Sequence, residues 1–330
     1  MCGEQMPFEQ QDYIDRLKQY CLDVTNMKES EAYSFAFRCW QLNMDNHVVR
    51  NPRHEFLGFL GRGSCYNVVK EGSTSAFFKS GDSLLLIDCG ETTFHDLLKR
   101  ENILDGVKQI DILITHMHSD HIGSLPSLIY YATYVLGAEI FIMSNDNKRL
   151  TKILKSSLYL DMDENEKVAD NITILNSSFT ISDMKVSNIC KHASFRLAYA
   201  YSGTIVKLPG FDGCSIHVMP IKEYHVDRSV GYVISKKERG QTTTVYYSGD
   251  TKQANISDGN KCPFDIDFYY LDAADRGPDY PHQSIQYIKD YLNIDLNKVR
   301  LIHIDSDSVL ERAKEIGLKP VTVLGRELEF

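Results

Sequence analysis

Thr115-His116-Met117-His118-Ser119-Asp120-His121 is the stretch that decides how this 330-residue chain folds. It follows directly on the apolar run DILIT and precedes a segment, from Ser124 on, whose apolar residues recur at helical spacing. Three imidazoles and a carboxylate fall within six residues, a density that core packing does not explain, because such groups bury at a cost unless paired. In a tight strand-to-helix loop, His116 and His118 can point to one metal ion while Asp120 and His121 reach a second. Imidazole and carboxylate suit Zn(II), Fe(II) or Mn(II), and the absence of a nearby Cys argues against a structural thiolate zinc site.

Outward from this stretch, short β-rich runs alternate with helical ones. Upstream are FLGFLG, SAFFKS and SLLLIDCG, then a helix near 91–101; downstream are a helix near 124–136, AEIFIM and a helix near 148–159. A β-rich middle follows, with MKVSNI, GTIVKL, SIHVMPI, GYVIS and TTVYYSG. The alternation then resumes with FDIDFYYLD, a helix near 284–292, VRLIHID, a helix near 308–316 and PVTVLG. This mixture predicts an α/β protein with two sheets covered by helices. Residues 1–54 read differently: Ile14, Leu17, Cys21 and Val24, then Tyr33, Ala36, Phe37 and Trp40, recur at helical spacing. The expected organisation is an N-terminal helical extension over 1–54 and one domain over 55–330. Two turn-rich segments, 162–183 and 208–213, are expected to be surface loops, with the rim of a substrate site as the alternative.

Composition limits the partners. Lys and Arg total 36 against 45 Asp and Glu, a formal charge of −9, which speaks against an extended nucleic acid spread over the surface and leaves a small anionic substrate. No apolar run reaches the length of a membrane span, and the start MCGEQMPFEQQDY lacks a basic region followed by an apolar one, so a cytoplasmic protein is expected. The eight cysteines are scattered without a C-x-x-C pair and are expected to be reduced thiols.

The segment His116 to His121 resembles the H-x-H-x-D-H signature of the metallo-β-lactamase superfamily, and the resemblance continues in order through most of 55–330. The run 84–90, LLLIDCG, is similar to the family's first motif, whose Asp orients the metal loop. Tyr224-His225 with Gly231-Tyr232 resembles the third, Ser248-Gly249-Asp250-Thr251 the fourth and Leu301-Ile302-His303 the fifth. The resemblance implies an αββα sandwich binding two divalent metal ions, zinc first, with manganese or iron as alternatives. One ion would take His116, His118 and His225, the other Asp120, His121 and His303, with Asp250 shared. His192 and His217 compete with His225 for the third motif, but His217 lies inside an apolar strand and His192 in a poorly patterned stretch.

Departures from the pattern exclude branches. Many true β-lactamases of the superfamily resemble one another in carrying Cys where this chain has Asp250, and diiron oxygen-reducing members have Glu in place of His118. The opening Phe59-Leu60-Gly61-Arg62-Gly63-Ser64 resembles the ribonuclease Z branch and related cyclic-nucleotide phosphodiesterases. That branch carries a His between the fourth and fifth motifs, matched here by His282 in Pro281-His282-Gln283-Ser284, with Asp272 or Asp275 to orient it. The implied activity is a metal-dependent phosphodiesterase acting on a small phosphodiester or nucleotide. Asp120 would position the attacking water and His282 would protonate the leaving oxygen. The alternatives are a thioester or lactone hydrolase of the glyoxalase II type and a tRNA 3′-processing endonuclease. For the latter, the clamp-like Gly/Pro/Lys-rich arm is not found between His121 and His225. A homodimer is one state open to the extension.

Overall fold

The computed structural model describes residues 54–100, 102–158, 205–208, 210–255, 265–277 and 279–325, together with Asp15, Lys18 and the strand backbones 179–180, 187–188 and 195–199. The helical extension expected over 1–54, His192 and nearly all of the loop at 162–183 lie outside the described residues.

Two mixed sheets form the body. In the first, β1 (Gly58–Gly61), β2 (Ser75–Ser80), β3 (Ser83–Ile87), β4 (Gln109–Ile114) and β5 (Glu139–Ser144) lie side by side, followed by β8 (Phe195–Tyr199) and β7 (Ser187–Asn188). The second runs from β15 (Lys319–Pro320) through β14 (Val299–Ile302), β13 (Phe268–Asp272), β12 (Gln241–Tyr247), β11 (Val230–Glu238), β10 (Cys214–Lys222) and β9 (Val206–Leu208) to β6 (Phe179–Thr180). Strands β3, β4 and β5 are parallel, as are β12, β13 and β14, while β10, β11 and β12 form an antiparallel meander.

The pleat explains the uninterrupted apolar runs. In SLLLI every residue is buried, because alternate side chains enter two different cores. Leu84 and Leu86 pack outward with Leu97, Leu125, Leu128 and Leu150 of the covering helices. Leu85 and Ile87 point inward to meet Ile216, Val218, Tyr232 and Val245 of the opposite sheet. The second sheet repeats the scheme, with Val233, Tyr246 and Leu271 facing outward against Ile285, Ile288, Val309 and Ala313. Three cores between four layers make the αββα sandwich that the sequence implies. Tyr232 ties the layers across the middle by donating its hydroxyl to the Ile114 carbonyl at 2.7 Å.

The loop 208–213 is the surface loop expected, with Gly210, Asp212 and Gly213 exposed, and not the alternative, a rim of the metal-loop edge. It joins β9 to β10 at the opposite edge, where Ser83 Oγ donates to Gly210 O, Ser80 Oγ donates to Asp212 O, and Phe211 is buried between the sheets. The run PVTVLG does not form a strand of its own: only its Pro320 belongs to β15, and Val321 N makes one more bond to the second sheet, donating to Leu301 O at 3.0 Å. The chain then leaves the second sheet, and Leu324 N donates to Phe59 O at the edge of the first.

Candidate metal centre

Strand direction gathers the site. Asp88 follows β3, the His116–His121 segment follows β4, His225 follows β10, Asp250 follows β12, Asp272 ends β13 and His303 follows β14, so every group arrives from a strand's carboxyl end at one edge of the sandwich. This edge is where open α/β sheets place ligands. It is also strained: Asp88 and His303 both hold positive φ, 60° and 54°, although neither is glycine. Close approach fixes Gly90 as well, because a Cβ there would lie 1.8 Å from the carbonyl oxygen of Asp120.

The seven expected ligand residues converge. Donor atoms of His116, His118, His225 and Asp250 lie within 4.8 Å of one another, as do those of Asp120, His121, Asp250 and His303, and Asp250 is common to both groups. His116 Nε2 is 2.9 Å from His118 Nδ1, and His225 Nε2 is 3.3 Å from the same atom. In the second group His303 Nε2 stands 3.2 Å from both Asp120 Oδ2 and Asp250 Oδ2, with His121 Nε2 3.2 Å from Asp250 Oδ1. The half-buried His217 sits on β10, far along the strand from this edge, as its apolar setting predicts.

The imidazoles are oriented from behind. Asp88 Oδ2 faces His121 Nδ1 at 2.8 Å and is itself fixed by Thr115, whose N–H and hydroxyl each donate to it at 2.8 Å. His225 Nδ1 faces the Pro281 carbonyl at 3.2 Å, and His303 Nδ1 faces Asp272 Oδ1 at 3.4 Å. With Nδ1 of His121 and His225 turned to these acceptors, their Nε2 atoms are left as donors toward the centre, the arrangement that metal-binding histidines need. Asp120 Oδ2 also accepts the Cys65 N–H at 3.0 Å.

The electrostatics ask for positive charge. Asp88, Asp120, Asp250 and Asp272 are buried, and among the described residues their ion-pair partners are all histidines. Burial pulls the His116 imidazole well below its ordinary value, with His121 adding to the effect. For His121 and His303 burial also acts downward, yet the carboxylates of Asp250 and its neighbours prevail, lifting His121 well above the usual range and His303 to about 10. Burial would raise the Asp250 carboxyl, but His121 and His303 hold it well below the usual carboxylate range. Buried His121 Nε2 and Asp250 Oδ1 have no hydrogen-bond partner among the described residues. Orphaned nitrogen and oxygen atoms pointing into one space, with no thiolate among them, fit divalent ions of the zinc, manganese or iron type.

Beside the ligand groups lies a further pair. His282 Nδ1 is 2.8 Å from Asp272 Oδ2, and its ring stacks on His303 with centroids 4.8 Å apart. This settles the orienting carboxylate as Asp272, which is buried at the end of β13, whereas Asp275 is exposed. Burial lowers the His282 imidazole, but the Asp272 charge and hydrogen bond outweigh it and the net shift is upward. Sequence reasoning assigned no role to the backing donors Thr115 and the Cys65 N–H, to Thr74, whose hydroxyl oxygen accepts the His303 N–H at 3.1 Å, or to the Asp305–Arg276 pair; none belongs to a spacing pattern that could have revealed it.

Comparison with known proteins now bears on the arrangement. The family model described as anti-Pycsar protein Apyc1 matches residues 56–261. The chain belongs to the Apyc1 family. Among curated relatives, the Apyc1 protein of Bacillus phage BSP38 is 25% identical over 195 residues, covering 58% of this chain and 67% of that protein. A ribonuclease Z of Prochlorococcus marinus subsp. pastoris is 32% identical over 161 residues, 46% of this chain and 50% of its own. Two solved structures share the architecture. The metallo-β-lactamase fold protein YhfI from Bacillus subtilis has a TM-score of 0.51 at 16% identity, over 81% of this chain and 94% of that one. The short form of human tRNase Z has a TM-score of 0.50 at 16% identity, over 81% and 96%. This Apyc1-family chain therefore has the metallo-β-lactamase fold, and it is a metal-dependent hydrolase.

Proposed function

We propose that the chain is a phosphodiesterase acting on a small cyclic or short nucleotide, with two divalent ions held by His116, His118, Asp120, His121, His225, Asp250 and His303. The observation that carries this reading is the Asp272–His282 pair stacked against His303. Hydrolysis of a thioester or lactone with this ligand set needs no such group, whereas an alkoxide leaving a phosphodiester needs a proton. Membership of the Apyc1 family and the partial likeness to ribonuclease Z support the same direction.

Metal ions in this site would lower the pKa of a water nucleophile and neutralise charge on the phosphoryl oxygens. The chain's own groups do the rest. Asp120, steadied by the Cys65 N–H and close to His303, orients the water and takes its proton. His282 turns Nδ1 to Asp272, so the proton it can give to a leaving oxygen is the one on Nε2. The acidic body around a site built for cations favours a compact anion that reaches the centre over a long polyanion along the surface.

The test is metal analysis joined to parallel assays on cyclic nucleotides, bis(4-nitrophenyl) phosphate, a thioester and a lactone. The expected result is about two metal equivalents per chain and turnover of the phosphodiesters. Asp120→Asn should lower that turnover by at least about 10³-fold. Preferential thioester or lactone turnover, or an unchanged rate in Asp120→Asn, would overturn the assignment.

A further inference from the structure

Next to His282, outside the candidate ligand groups, stand two linked side chains. Tyr280 packs its ring 5.2 Å from the His282 ring, and the Arg276 guanidinium lies over the Tyr280 ring at 4.9 Å from its centroid. Arg276 Nε donates to buried Asp305 at 3.1 Å, while more than half of the Arg276 side chain is exposed. Asp305 is held in turn by the Ser306 hydroxyl at 2.9 Å. Tethered at Nε and lying over the Tyr280 ring, the guanidinium is held beside that ring.

Tyr66 completes this wall. It is 73% exposed although large and aromatic, and its loop is pinned at both ends of the tripeptide 64–66. Ser64 N donates to Ile304 O at 3.1 Å, the Cys65 N–H to Asp120, and Tyr66 N to Ser64 Oγ. These bonds place Tyr66 next to Asp120 and next to Ile304, the neighbour of Asp305, which tethers Arg276. The buried Tyr280 hydroxyl has no hydrogen-bond partner among the described residues. A tethered arginine over an aromatic ring, that ring's orphaned phenol against His282 and an exposed tyrosine on a loop bonded to Asp120 are arranged around the proposed proton donor.

We propose that Tyr66, Arg276 and Tyr280 form the subsite that receives the nucleobase of the substrate. Tyr66 offers a face on which a base stacks, and the tethered Arg276 fork donates to adjacent acceptors on the base edge, a geometry that lysine does not reproduce. The subsite rests on the phosphodiesterase reading above and adds to it the part of the nucleotide that is recognised.

The experiment compares kcat/KM for a purine and a pyrimidine 3′,5′-cyclic nucleotide with that for 1-deoxyribose 3′,5′-cyclic phosphate, which has the same scissile group and no base. The metal-loaded wild type should prefer at least one nucleotide over the base-free compound by tenfold or more, about the discrimination of one good contact. Arg276→Ala should erase about 10- to 100-fold of that preference, expressed in KM, and Arg276→Lys should fail to restore it. Tyr66→Ala should erase about fivefold or more. As a control, Tyr134→Ala removes an equally exposed ring from a helix outside the wall and should leave the preference as it is. Equal wild-type rates on all three compounds would overturn the subsite, as would a proportional loss on all three in Arg276→Ala. If the wild type hydrolyses neither cyclic phosphates nor bis(4-nitrophenyl) phosphate, the phosphodiesterase reading itself falls. Turnover of bis(4-nitrophenyl) phosphate without base preference leaves that reading standing and removes only the subsite.

Discussion

The first sheet delivers His116, His118, Asp120 and His121 from one loop after β4, whereas the second delivers His225, Asp250, His282 and His303 from four separate connections. The loop of the first sheet is shaped locally. Asp88 grips His121 and Thr115 from the neighbouring strand end, and Gly90 lets the backbone of Asp120 come into contact. The second sheet's groups come from separate connections and meet because β10, β12, β13 and β14 run in the same direction and stop at the same edge, where Asp272 and the Pro281 carbonyl then orient His282 and His225. The division also separates roles. One side supplies a preformed half of a metal cradle; the other closes the cradle and adds the one imidazole, His282, that points to chemistry beyond holding metal.

The sharpest way to break this division is to remove His282 and leave the cradle alone. His282→Ala should lower kcat on a nucleotide by about 10²- to 10⁴-fold, the usual worth of a positioned acid. Asp272→Asn should give a smaller loss of the same kind. On bis(4-nitrophenyl) phosphate, whose leaving group needs little help from a proton, the loss should shrink markedly. Metal content, read by plasma emission, should stay at the wild-type level in His282→Ala. If that variant loses metal along with activity, His282 belongs to the cradle together with Asp250, Asp272 and His303, whose donor atoms and its own also lie within 4.8 Å of one another.

The same division explains what could be read in the sequence. The loop of the first sheet was legible because its four candidate ligands fall within six residues, a density that core packing does not explain. His225, Asp250 and His303 were legible only as an ordered series of strand ends; each by itself looks like a turn or core residue. The choice between Asp272 and Asp275 could not be made, since both follow the same apolar run. It depends on which one ends β13 inside the protein, and that is a matter of register. Thr115, the Cys65 N–H and Arg276 act through hydrogen bonds to residues far away in sequence, so no spacing marks them. Two sheets covered by helices were visible in the alternation of runs, while the end of β15 turned on the path of the chain across to Phe59.

A smaller effect tests the preformed half. Asp88 contacts no substrate and lies behind the loop, so Asp88→Ala removes the acceptor for His121 Nδ1 and for Thr115 without removing a ligand. Zinc affinity, measured by competition with a chromophoric chelator, should weaken by about 10- to 100-fold, the usual consequence of losing the group behind a metal-binding histidine. Added metal should recover most of the activity. Wild-type affinity in this variant would mean that the loop holds its shape without Asp88, and the two sheets would then differ less than their hydrogen bonds suggest.

The smallest expected effect concerns how the two halves are held face to face. Tyr232 of β11 is fully buried between the sheets, and its hydroxyl donates to Ile114 O at the end of β4, directly before the metal loop. Val230 N donates to Thr115 O at 3.0 Å, a second tie at the same level. Tyr232→Phe keeps the ring in the inter-sheet core and removes only the hydroxyl, so the apolar contribution is retained and one buried carbonyl loses a donor. The cost should be about 1–2 kcal/mol in urea unfolding of the metal-free protein, the range for a single buried hydrogen bond. The midpoint should move without a change in slope, because the surface exposed on unfolding is the same. In the metal-loaded protein the difference should narrow, since ions bridging ligands from both sheets hold the same two strand ends together and stabilise only the folded chain. An equal cost with and without metal would show that the hydroxyl fixes β11 alone and that the sheets meet at the centre through the ligands.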